Sequence, residues 1–255
     1  KSKSDSDSDT MNKKGSLSTT TSEFEKRAYE SGILGPNSSK PAQDLDTLRL
    51  CLARRRNSTH PSENAHEKYH RLLSGSHNGI TAPYDIQFKI MKGYNGRQYG
   101  KMNGRAITHI PEEDFNKGLS NPIPDRLEGL VTDELPSHMH SHALHSTNSL
   151  ALCHFTTEFK RTDGNLHQAR YQTACDGATL VYARKHALAQ AAAAAAAVPG
   201  HSSDIEKAAK ETAVLTCVTN GKFAEVFAHH FQDGEYHQNL VACETCFPIP
   251  TEAVS

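Results

Sequence analysis

The dipeptide Asn220-Gly221, lying between two apolar segments, restricts this chain more than any other short feature. Asn and Gly both tolerate the positive φ angles that a two-residue hairpin demands, so Ala213 to Thr219 and Lys222 to Phe231 read as adjacent antiparallel strands. Asp233-Gly234 marks a second turn, leading into a third strand over Tyr236 to Ala242. Upstream, Leu127 to Leu135 and Leu150 to Lys160 also read as strands. Between the two groups, Asn165 opens a long helix with Ala174, Ala178, Val181 and Leu188 on its apolar stripe. The run Ala191 to Ala197 extends that helix or begins a linker, and Pro199-Gly200 stops it. Strands, one long helix, then more strands predict an α/β fold in which helices pack on a mixed sheet.

The first part of the chain is different. Residues 1 to 40 are rich in Ser, Asp, Thr and Lys and poor in large apolar side chains, which predicts a disordered tail. Order is expected from Asp44, where Leu45, Leu48 and Leu52 recur at helical spacing through Arg55. A second helix fits Ser62 to Leu73, with Ser62 as its cap. Residues 75 to 120 hold many Gly, Asn and Pro, with a short alternating strand over Tyr84 to Met91. The organisation is therefore a tail over 1–40, a helical and irregular part over 41–120, and a core over 121–247 with an Ala-rich low-complexity segment at 189–204.

A formal net charge of -1 over 255 residues neither advertises nor excludes a polyanionic partner, so any phosphate-binding surface must be local. Trp is absent, which argues against an extended base-stacking surface. No apolar run is long enough to cross a bilayer and Lys1 to Asp9 has no signal-peptide core, so the reading is soluble and intracellular, with no membrane partner. Six cysteines in a chain this long do not make a disulfide framework, and Cys243 and Cys246 form the one Cys-x-x-Cys pair.

Chemistry concentrates in Leu152 to Lys160. In a strand, Glu158 and Lys160 share a face while Phe159 points to the other side. A carboxylate suited to a divalent cation thus stands beside an ammonium suited to an attacking water. Upstream, Asn121-Pro122-Ile123-Pro124-Asp125 makes a rigid step into a strand that reaches Gly129. Downstream, Gln168, Gln172 and Asp176 continue one helical stripe. The competing reading is a surface ion pair between Glu158 and Lys160, with Asp125 merely capping a turn.

Pro124-Asp125, then Glu158-x-Lys160, then a helix bearing Gln172 resembles the PD-(D/E)XK nuclease superfamily, and most narrowly its fungal PD-(D/E)XK-like domains of unknown function. The resemblance covers residues 120 to 245, and this chain has Tyr171 where many of those fungal domains have Asn before the Gln. It implies a restriction-endonuclease-like mixed central sheet flanked by helices. It also implies Mg²⁺ or Mn²⁺ held by Asp125, Glu158 and the backbone carbonyl of Phe159, with Lys160 acting on the attacking water and Gln172 hydrogen-bonding beside it. A Glu from an early helix, Glu63 or Glu67, completes the set in some relatives. The implied activity is metal-dependent phosphodiester hydrolysis in DNA or RNA. The alternative is an inactive nuclease-like module that binds nucleic acid or a protein, since fold alone does not specify activity. No small-molecule cofactor is expected.

Four other features carry weaker signals. His138 to His145 is dense in imidazole, and reads as a solvated loop rather than a zinc or nickel site. His229-His230, facing opposite ways in a strand, reads as structural. Gly93 to Gly104, with Lys92, Arg97, Lys101 and Arg105 interspersed, reads as a flexible loop able to touch a nucleic-acid backbone. Arg54-Arg55-Arg56 reads as a solvated helix end.

Overall fold

The structure is a computed structural model that describes residues 23–54, 99–103, 119–134, 150–160, 164–195 and 214–245, together with Asn64, Glu67 and Arg71. Among the described residues, the helices α1 (Phe24–Glu30), α2 (Leu45–Ala53) and α3 (Leu166–Ala195) accompany six strands. These are β1 (Tyr99–Asn103), β2 (Arg126–Val131), β3 (Leu150–Phe159), β4 (Val214–Thr219), β5 (Phe223–Gln232) and β6 (Glu235–Thr245). They form one mixed sheet in the order β1-β2-β3-β4-β5-β6, in which β3 and β4 run parallel and every other pair is antiparallel. A parallel pair needs a crossover, and α3 lies within the connection between β3 and β4.

Helix α3 starts where its cap dictates. The Asn165 side-chain oxygen accepts from the backbone N–H groups of His167 (2.9 Å) and Gln168 (3.3 Å), satisfying donors that the first turn leaves open. Its buried face, including Ala174, Ala178, Leu180 and Val181, packs with Leu127, Leu150 and Val214 into the largest core cluster. A smaller cluster of Ala169, Val218 and Phe227 lies under its first turns. Helix α2 joins a separate cluster through Leu45, Leu48 and Leu52 with Leu215, Ala228 and Val241. Leu215 neighbours Thr216 in β4, so α2 and α3 pack on opposite faces of the sheet.

Several expectations need correction. Residues 23–40 are not a tail: Phe24, Ala28, Ile33 and Leu34 are buried, and α1 docks on the α3 side. The chain then runs beside β6, where Tyr236 N–H donates to the Gly32 carbonyl (2.7 Å) and Leu34 N–H to the Tyr236 carbonyl (2.8 Å). Few apolar residues suffice here because they sit at 24, 28, 33 and 34, all at contact points. Strand β2 ends at Val131 rather than Leu135, giving way to a 3-10 turn over Thr132–Glu134. Gly100 to Asn103, taken as loop, belongs to strand β1. A Cβ at Gly100 would stand 2.6 Å from Leu150 Cδ2, so the glycine permits close packing there.

The Asn220-Gly221 turn holds, by a different mechanism. Only Gly221 has positive φ (82°), and Asn220 instead uses its side-chain oxygen to accept from Lys222 and Phe223 N–H, each at 3.0 Å. The two-residue positive-φ geometry occurs at the second turn, with Asp233 at 53° and Gly234 at 87°. Asp44 stands at the N-terminal boundary of α2 without a side-chain cap bond. The helix expected over Ser62 to Leu73 is described only at Asn64, Glu67 and Arg71, all helical. Tyr84 to Met91, His138 to His145, Cys246 and most of Gly93 to Gly104 lie outside the described residues.

Candidate active site

Two strands that run in opposite directions deliver the acidic pair. Arg126 in β2 pairs with Thr157 in β3, so the residue entering β2 meets the residue leaving β3. Asp125 enters and Glu158 leaves. Pro122 and Pro124 are buried, which fixes the approach to Asp125. The two acids then interlock through the backbone. The Phe159 N–H donates to Asp125 Oδ2 at 2.7 Å, and the Asp125 N–H donates to the Glu158 carboxylate.

Register upstream is set by a bulge. Glu128 pairs with Phe155 and Leu130 with Ala151, so Leu152 to His154 lie opposite Gly129 alone. Leu152 takes a positive φ of 47° within it. A Cβ on Gly129 would come 2.7 Å from Cys153 Sγ and 2.9 Å from the Ala151 carbonyl oxygen. Glycine is therefore required for the bulge to press against β2.

Lys160 Nζ donates to Glu158 Oε2 at 3.2 Å and keeps 21% of its side chain exposed, so the ammonium stands between the acid and solvent. Below them, Asp176 on α3 is buried, with Thr156 Oγ1 donating to its carboxylate at 3.4 Å. Burial, and then the charge of Asp125, push the Glu158 carboxyl up to about 7, against the pull of Lys160. Burial raises Asp125 as well, opposed by the Phe159 N–H and Lys160. Asp176 is raised well above the ordinary carboxylate range by burial, then by the charges of Glu158 and Asp125. Three acids around one ammonium would carry surplus negative charge once deprotonated, in a poorly solvated place.

That surplus suits a hard divalent cation, which prefers oxygen ligands. Asp125 and Glu158 would hold it, with the Phe159 carbonyl as the third donor that the resemblance implies. Among the described residues, no group of three or more His, Cys, Asp or Glu side chains is arranged to hold a metal ion. The implied set, two carboxylates and one carbonyl, is not of that kind.

Asp125, Glu158, Lys160 and the Phe159 backbone thus come together. Gln172 lies half-buried on α3, one helical turn before Asp176. Asp176 is the site acid that the sequence pattern placed only on a stripe. Its signal was a carboxylate among Ala174, Cys175 and Ala178, where an apolar residue is expected. Glu67 is exposed and pairs with Arg71 at 3.1 Å, while Glu63 lies outside the described residues. His229 is buried in β5, bonded to Thr216 Oγ1 at 2.8 Å, and burial depresses its imidazole to about 3. His230 turns away and stacks on His237 with ring centroids 4.9 Å apart.

Comparison of the chain with protein-family models, with curated proteins and with solved structures finds no match. Among the described residues, no helix is long and apolar enough to cross a membrane.

Proposed function

We propose that this chain is a metal-dependent phosphodiesterase of the PD-(D/E)XK type, acting on nucleic acid through Asp125, Glu158 and Lys160. The interlocked pair carries the reading. Two carboxylates from different strands are tied by reciprocal backbone hydrogen bonds, with one partly exposed ammonium beside them. A surface ion pair needs neither the burial of Glu158 nor the seat that Phe159 makes for Asp125. The succession of an early helix, β1 to β3, α3 and β4 supports the restriction-endonuclease-like arrangement, with the site at the carboxyl end of β3.

When bound, Mg²⁺ or Mn²⁺ supplies the charge that polarises the scissile phosphate and offsets charge on the leaving oxygen. The chain's own residues do the rest. The Phe159 N–H fixes Asp125, and the Asp125 N–H fixes Glu158, so the acids need little reorganisation as substrate arrives. Lys160, anchored on Glu158, orients the attacking water by donating to it from the ammonium Nζ. Gln172, from the helix wall, hydrogen-bonds substrate or Lys160.

The test is cleavage of labelled single- and double-stranded DNA and RNA with Mg²⁺ or Mn²⁺, using wild type, Glu158→Ala and Lys160→Ala. Metal-dependent cutting that falls by about 10²-fold or more in both variants is expected, as for loss of a charge-stabilising or proton-transfer group. Cutting that survives both substitutions would sink the proposal. The alternative is a non-catalytic module on the same scaffold, since fold alone does not specify activity. Nucleic-acid binding without cutting by the wild type would select it.

A further inference from the structure

The face of the sheet that carries Glu158 extends sideways across two more strand ends. Glu158 pairs with Val218 in β4, and Val218 with Glu225 in β5. Neighbouring strands lie ~4.8 Å apart, which sets Glu225 about 10 Å from Glu158 along the same edge. Glu225 is buried and seats Arg170 of α3 side-on, with Nε donating to Oε2 (2.7 Å) and Nη2 to Oε1 (2.6 Å). This geometry occupies one edge of the guanidinium. The Nη1 edge takes no part in the pair, and 36% of the side chain is exposed.

Phe223 stands two residues before Glu225, on the same strand face, and 43% of it is exposed. An aromatic ring left in water beside a pre-oriented guanidinium is not needed by the core, whose local cluster is Ala169, Val218 and Phe227. Lys222 is exposed in the turn just before it. That turn adjoins the site, since the Lys160 N–H donates to the Thr219 carbonyl at 2.8 Å. The end of β3 with Lys160, the turn with Lys222 and the Glu225 seat of Arg170 therefore succeed one another as a basic line along the sheet edge, with Phe223 between the last two in sequence.

We infer that Arg170 and Phe223 form a subsite for an unpaired nucleotide flanking the scissile phosphate, Arg170 taking the backbone phosphate and Phe223 stacking the base. The inference rests on the nuclease reading of Asp125, Glu158 and Lys160, and adds single-stranded nucleic acid as the substrate class. Arg forks match phosphate oxygens, and Glu225 prepays the ordering of this one. Every base offers a π-face, so the ring needs an unpaired base but no particular sequence. A plain structural tie between α3 and β5 explains the ion pair yet leaves the exposed ring and the basic line without a role.

The test is fluorescence-anisotropy binding of labelled single-stranded and duplex oligonucleotides to Glu158→Gln protein in Mg²⁺, over a range of salt. In that background, Phe223→Ala is expected to weaken single-strand binding by roughly tenfold, with duplex binding unchanged. Arg170→Gln should lower the slope of log affinity against log salt by about 0.7, the share of one phosphate on a single strand. Arg170→Lys should restore that slope. Glu225→Gln keeps an acceptor for the fork but removes the opposing charge, and should tighten binding. A structural tie predicts the opposite for Glu225→Gln, since both halves would then weaken the protein alike. Single-strand affinity unmoved by Phe223→Ala, or a salt slope unmoved by Arg170→Gln, overturns the inference. If wild-type protein cuts nucleic acid while those variants bind normally, only the subsite falls. If the wild type neither binds nor cuts, the nuclease reading falls and takes the subsite with it.

Discussion

Two regions of this sheet bury polar side chains, and they do so in opposite ways. Around β6, the buried polar side chains Gln238, Asn239 and His237 each meet complementary partners, and of their atoms Gln238 Oε1 alone meets none among the described residues. Gln238 Nε2 donates to the Arg170 carbonyl (3.1 Å) and to Thr173 Oγ1 (3.0 Å). Asn239 accepts from the Ala42 N–H (2.9 Å) and donates to the Lys40 carbonyl (2.9 Å). His237 Nδ1 accepts from the Lys40 N–H at 3.1 Å. Around β3, by contrast, burial raises the proton affinity of Asp125, Glu158 and Asp176, and the charge of Asp125 raises the latter two further, with one lysine among them. A satisfied network serves stability, whereas crowded like charges work against it and are retained where chemistry needs them.

The largest effect is expected where α3 meets β5, next to Asp176. A Cβ at Gly177 would fall 2.2 Å from the His229 ring, so α3 and β5 must separate to admit it. Gly177→Ala should cost ~3 kcal/mol or more in urea unfolding, at the upper end of overpacking effects. A loss under about 1 kcal/mol would mean the interface yields easily.

Next comes pH. Glu158 binds its proton more tightly folded (about 7) than unfolded (4.5), so the folded state holds more protons between those values. Stability from this group is therefore present at low pH and lost as pH rises from about 4.5 to about 7, by roughly 3 kcal/mol. Asp176 acts in the same direction. His229, depressed to about 3, slopes the other way: its contribution is lost as pH falls below about 6.5. Melting of wild type against Glu158→Gln in EDTA isolates the Glu158 part, and the variant should gain relative stability as pH rises. Mg²⁺ should shrink the gap by stabilising the wild type. A difference independent of pH would break the comparison.

Asn239→Ala should cost ~2 kcal/mol, since it removes two buried bonds and strands a backbone N–H at Ala42. The smallest effect belongs to Lys40→Ala. Its 2.8 Å pair with Asp233 is exposed on both sides, and thermal melting should change little.

How legible these regions were differs for physical reasons. Strand β3, helix α3 and the β4–β5–β6 meander declared themselves through apolar runs bounded by turn and cap chemistry at Asn165, Asn220-Gly221 and Asp233-Gly234. The pairing of Asp125 with Glu158 was legible only as order along the chain, since register depends on a bulge at Leu152 that no local pattern announces. Asp176 was legible only as the continuation of the Gln168 and Gln172 stripe, and its burial beside Glu158 emerges only once α3 packs on the sheet. The segment 23–40 hid because composition averages over the whole stretch, while Phe24, Ala28, Ile33 and Leu34 act at single points. Phe223 and Arg170 look unremarkable in sequence, and only the strand order sets them beside the acids.

That same segment bears on how the protein can be handled. β6 is the last strand of the sheet, and a bare outer strand offers its peptide groups to any other chain. Gly32 and Leu34 occupy those groups at Tyr236, Ser39 takes the Gln238 N–H, and Arg49 takes the Leu240 carbonyl. Trimming the chain to Asp44, as its composition invites, would strip most of this cover. The shortened protein should self-associate through β6 and scatter light on gentle warming, where the longer chain stays monodisperse.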